Sequence, residues 1–122
     1  MTPGILYIED DLDVQRAIAR MLRINYPQFQ VYIIDSAPRA IAMLERNQFD
    51  LVISDYNIIG GTGGDVLAWL QANKPAMVAR FIFLAGADEI EKHTHWLKKP
   101  VEMPRLRELI DHVLRESDAH TV

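Results

Sequence analysis

Short, uninterrupted apolar runs recur along this chain, and a segment with helical periodicity separates each from the next. The runs are Ile5-Leu6-Tyr7-Ile8, Val31-Tyr32-Ile33-Ile34, Leu51-Val52-Ile53 and Phe81-Ile82-Phe83-Leu84. A strand facing solvent on one side alternates polar and apolar residues, whereas a strand covered on both sides reads as a continuous apolar run. Between the runs, Val14, Ala17, Ile18, Met21 and Leu22 recur at helical spacing and stop before Pro27. Ser36 can cap a second helix with Ala37, Ala40, Ile41 and Leu44 on its buried face. A loop with Gly60, Gly61, Gly63 and Gly64 leads to a short helix carrying Val66, Leu67 and Leu70, with Pro75 soon after its end. Trp96-Leu97 supplies a short fifth strand, and the last helix follows from Pro104 through Leu106, Leu109, Ile110, Val113 and Leu114. Parallel strands need helical crossovers, so the alternation predicts an α/β fold with a doubly wound, five-stranded parallel sheet.

The 122 residues fit one domain, taken here as 1–122, and composition narrows its class. There is no cysteine, which excludes disulfides and thiolate-bound zinc. A net charge of −4 argues against a broad nucleic-acid surface. Lys98, Lys99, Arg105 and Arg107 do cluster, but Glu102, Glu108 and Asp111 dilute them into a mixed, solvated face. No apolar run approaches the roughly 20 residues that cross a bilayer, and the start of the chain has no signal-like core. A cytoplasmic location is expected.

In doubly wound sheets the functional crevice lies beyond the carboxyl ends of the strands. The first strand ends in Glu9-Asp10-Asp11, the third in Asp55, the fourth in Ala85-Gly86, and the fifth runs into Lys99-Pro100. Taken singly, acids at strand ends are solvated caps for the helices that follow. Taken together, with a lysine opposite, they describe a rim where crowded carboxylates favour a hard divalent cation.

In this arrangement the sequence resembles the response-regulator receiver family over essentially its whole length. The first block, through Glu9 and Asp10, is similar to that family's first strand and acidic pair. Leu51-Val52-Ile53-Ser54-Asp55 resembles the phosphoacceptor strand, with Gly63 at the matching distance downstream as a structural position. Trp96-Leu97 followed by Lys99-Pro100 resembles the last strand, its lysine and a cis proline. The resemblance implies a flavodoxin-like strand order 2-1-3-4-5. It also implies a phosphoacceptor module in a two-component phosphorelay, not an enzyme acting on external substrates. Asp55 would be the carboxylate nucleophile, taking a phosphoryl group from a histidine kinase or histidine phosphotransfer protein. Glu9, Asp10, Asp55 and the Asn57 carbonyl would serve Mg2+, with Glu9 acting through water, and Lys99 would pair with Asp55 before transfer. Nucleic acid and membrane are not among the expected partners, and the chain is either stand-alone or a receiver excised from a longer protein.

Three departures qualify that expectation. Ala85 stands where the family usually places a Thr or Ser whose hydroxyl meets the phosphoryl group, which puts the associated switching in doubt. From Ala85 to Lys99 the chain is roughly eight residues short of the usual spacing, about two helical turns, so the fourth helix is expected to be reduced or lost. Ile58-Ile59 precedes an unusually glycine-rich loop that is expected to be mobile. That loop lacks the Gly-Lys-Ser/Thr of a nucleotide cradle. Trp96 is either the family's switch aromatic or a cover for the shortened segment. His93 and His95 read as exposed loop residues, and His112 and His120 call for no special role. Two alternatives stay open: a degenerate receiver acting only as an interaction module, and an aspartyl phosphohydrolase. The latter usually has an acid two residues past its nucleophile, where this chain has Asn57.

Overall fold

The computed structural model describes residues 3–86 and 95–119. Strand β1 (Gly4–Ile8) leads through helix α1 (Leu12–Asn25) to β2 (Gln30–Ile34), and α2 (Ala37–Arg46) leads to β3 (Leu51–Asp55). A two-residue hairpin, β4 (Asn57–Ile58) with β5 (Gly61–Thr62), precedes α3 (Gly63–Asn73). A 3-10 helix (Pro75–Arg80) then delivers the chain to β6 (Phe81–Ala85), and β7 (Trp96–Lys98) precedes α4 (Met103–Ala119). The main sheet is parallel throughout, in the order β2-β1-β3-β6-β7. With β6 and β7 as fourth and fifth strands, this is the expected flavodoxin-like order.

Every residue of β1, β3 and β6 is buried, which accounts for their continuous apolar runs. Their side chains alternate between two cores. Ile5, Tyr7, Leu51, Ile53, Ile82 and Leu84 pack against α1 and α4, whose contributions include Ile18, Leu22, Leu106 and Ile110. Leu6, Ile8, Val52, Phe81 and Phe83 face α2 and α3, meeting Ala40, Leu44, Val66 and Leu70. No described helix is long and apolar enough to cross a membrane.

Several local features differ from the sequence expectation. The glycine-rich segment is not an open loop. Ile59 forms a parallel bridge with Ser36, its carbonyl accepting from Ala37 N at 2.9 Å and its amide donating to Asp35 O at 3.4 Å. Gly60 makes the turn possible with φ of 76°, a conformation that costs most other residues dearly. Gly63 and Gly64 belong to the first turn of α3, because Thr62 and Asp65 form a reciprocal capping box that starts the helix there. His95 is buried, in contrast to the exposed loop residue expected. It lies against α4, with Nε2 3.7 Å from Glu116 Oε2, while His112 Nε2 stands 2.9 Å from Glu116 Oε1. The expected shortening of the fourth helix falls on residues 87–94, and His93 and His120 also lie outside the described residues.

Candidate functional site

Glu9 and Asp10 follow β1 directly, Asp55 is the last residue of β3, and Lys99 follows β7. Since β1 and β3 are neighbours in register, Ile8 opposite Ser54, their acids emerge side by side. Glu9, Asp10 and Asp55 each offer an oxygen, and the three oxygens lie within 4.8 Å of one another. Glu9 and Asp55 are buried and Asp10 is exposed, so the cluster opens to solvent on one side. Asp11 does what an acid at a strand end most often does: it caps α1, accepting from Asp13 N at 3.0 Å and Val14 N at 3.2 Å.

Lys99 completes the rim. Its backbone amide donates to Ala85 O at 2.9 Å, and the Lys99–Pro100 peptide is cis, as the resemblance implied. The Lys99 ammonium stands 2.5 Å from Asp55 Oδ1. That oxygen is buried and, among the described residues, accepts no hydrogen bond of regular geometry, so the ammonium balances its charge. Burial pushes the Glu9 carboxyl up to about 7, helped by the neighbouring Asp55 and opposed by the Asp11 amide and Lys99. Three crowded carboxylates, two of them withdrawn from water, form a hard-oxygen donor set that suits Mg2+.

The surrounding positions are equally constrained. A Cβ on Gly63 would stand 2.7 Å from Asp55 O, 2.8 Å from Phe83 Cε1 and 3.0 Å from Ser54 Oγ. The start of α3 therefore approaches the end of β3 closely enough to require glycine. Asn57 lies two residues beyond Asp55, in β4. Ala85 closes β6 with a buried methyl and no hydroxyl. Trp96 is exposed on the edge strand β7, at the opposite side of the sheet from β2.

Sequence reasoning missed the groups that hold Glu9. The Tyr7 hydroxyl donates to Glu9 Oε1 at 3.3 Å, the Asp11 amide to Oε2 at 3.3 Å, and Gln15 Nε2 to the Glu9 carbonyl at 2.9 Å. Tyr7 was legible in principle, since residues two apart on a strand share a face. Gln15, on the first turns of α1, carried no such signal.

Fold and rim together define a doubly wound α/β domain with a cation-competent carboxylate cluster facing a lysine. Residues 5–111 match the family model for the response regulator receiver domain, and the chain belongs to that family. It is 28% identical over 116 residues to the response regulator protein FleR of Pseudomonas aeruginosa, covering 90% of this chain and 24% of FleR. The chain thus spans about a quarter of that relative's length. A response regulator receiver domain protein from Clostridium thermocellum superposes with a TM-score of 0.81 at 24% identity, covering 96% of this chain and 98% of that one. The receiver domain of sensor histidine kinase PA1611 from Pseudomonas aeruginosa has a TM-score of 0.79 at 19% identity, covering 94% and 99% respectively. That domain carries a magnesium ion coordinated in its active-site cleft.

Proposed function

We propose that the domain accepts a phosphoryl group on Asp55 from a phosphohistidine of a histidine kinase or histidine phosphotransfer protein. The observation that carries this is the placement of Asp55 between two further acids and the Lys99 ammonium, at the carboxyl end of a central strand. A carboxylate oxygen of Asp55 attacks phosphorus, the P–N bond to the donor imidazole breaks, and an acyl phosphate remains on Asp55. The imidazole leaves with the bonding electron pair and takes a proton from solvent. Asp10, Asp55 and the Asn57 carbonyl would hold Mg2+, with Glu9 acting through water, and the ion supplies charge neutralisation on the equatorial oxygens when bound. Lys99 holds Asp55 in place before transfer and faces the added negative charge afterwards. Glu9, held by Tyr7 and Asp11, is too deeply buried to serve as a surface acid, which favours an indirect role through water.

The domain is an acceptor, not a hydrolase of external esters, since the residue two past Asp55 is an amide. Phosphotransfer from a nucleotide-dependent kinase goes with a cytoplasmic location and with membership of a longer signalling protein or relay. Incubation with acetyl phosphate and Mg2+, followed by intact mass, tests the proposal. One added phosphoryl group that Asp55→Asn abolishes supports it, and an unchanged mass refutes it.

Ala85 favours a second reading, a degenerate receiver used as an interaction surface. The buried methyl leaves no hydroxyl at the end of β6 to meet a phosphoryl oxygen. The same mass measurement separates the two, because this alternative needs no uptake.

A further inference from the structure

Tyr7 lies wholly inside the α1/α4 core, where a phenylalanine would satisfy every apolar contact. Its hydroxyl makes one hydrogen bond among the described residues, to Glu9 Oε1 at 3.3 Å. A buried hydroxyl left without a partner is costly, so a tyrosine here implies a use for that bond. Both Glu9 oxygens are held from within the protein, Oε1 by Tyr7 and Oε2 by the Asp11 amide. A carboxylate has about four acceptor sites, so roughly half remain for the side facing Asp10 and Asp55.

We propose that Tyr7 is a positioning residue for the cation site: from inside the core, its hydroxyl fixes the rotamer of Glu9 so that the free lone pairs face the Asp10–Asp55 cluster. The inference rests on the proposed divalent-cation role of that cluster. Groups that orient the carboxylates around a metal from behind typically carry a sizeable share of its affinity. Tyr7 acts through Glu9 and touches neither cation nor phosphoryl group. In Tyr7→Phe, Glu9 loses its deeper anchor and keeps the Asp11 amide and its neighbour Asp55.

Calorimetric titration of the full chain with MgCl2 tests this in four proteins: unsubstituted, Tyr7→Phe, Glu9→Gln, and the double variant. Tyr7→Phe should weaken Mg2+ binding about tenfold. The double variant should bind no more weakly than Glu9→Gln alone, because Tyr7 has nothing left to orient. Equal affinity of Tyr7→Phe and the unsubstituted chain overturns the proposal, and so do effects of the two substitutions that simply add. A second measurement needs no variant. With 13C at the tyrosine Cζ, the Tyr7 resonance should shift on Mg2+ addition, and an unmoved resonance refutes the coupling. If the unsubstituted chain binds no Mg2+, the cation role falls and Tyr7's role with it; if it binds while Tyr7→Phe matches it, only the role of Tyr7 falls.

Discussion

Gly63 and Glu9 are fixed by opposite constraints, one by lack of space and the other by lack of water. A methyl at position 63 would press on the Asp55 carbonyl, Phe83 and Ser54 together, and two of those contacts are under 3 Å. Gly63→Ala should therefore cost about 1–3 kcal/mol in urea denaturation. It should also lower the yield of acetyl-phosphate labelling, because relief requires the end of β3 to move. Glu9 should give the metal-free protein a distinctive pH response. Its folded-state pKa is raised from 4.5 to about 7, so the folded chain holds this proton more tightly than the unfolded one. Glu9's contribution is thus fully present below about pH 4.5 and lost as pH climbs towards 7. Urea denaturation in EDTA should show stability from this source falling over that window. Glu9→Gln should remove the slope and leave the variant more stable at pH 8, by about 1–2 kcal/mol. A variant that keeps the slope would assign it to another group.

At the scale of elements, the strands were the most legible part of the chain and the segment after Asp55 the least. Buried parallel strands read as short continuous apolar runs, and β1, β3 and β6 fall where those runs stand. The four glycines near position 60 suggested an open loop because glycine is a poor helix former. Yet Thr62-Gly63-Gly64-Asp65 is also a capping-box sequence, and the reciprocal bonds between Thr62 and Asp65 prevail. Thr62→Ala should cost about 1 kcal/mol by removing that cap, read as a lower urea midpoint with unchanged slope. The burial of His95 was hidden for a different reason. Its partner Glu116 lies on a helix far along the chain, and no local pattern reports such a contact. The carboxylate pair at the site was legible because strand order alone brings two adjacent strand ends together. The contacts of Tyr7 and Gln15 with Glu9 depend on side-chain direction and were not.

For the whole molecule, the acids at the rim set a balance between stability and function. Burying Glu9 and Asp55 beside each other is costly, and a cation bound by the proposed cluster would offset that cost. Mg2+ at about a hundred times its dissociation constant should raise unfolding stability by roughly 2.7 kcal/mol, and Asp55→Asn should shrink that gain. Thermal or urea unfolding with and without the ion measures it, and equal gains in both proteins would locate the ion elsewhere. Ala85→Thr bears on the other end of the process. If the missing hydroxyl limits switching, amide shifts on phosphorylation should spread further in the variant than in the unsubstituted chain; identical shifts would exonerate the methyl. The chain just past Asp55 is stitched through Ile59 to the residues that open α2. A displacement at Asn57 therefore has a hydrogen-bonded backbone connection to the β2 flank of the sheet, the edge opposite Trp96, where Tyr32 rather than a tryptophan would register it.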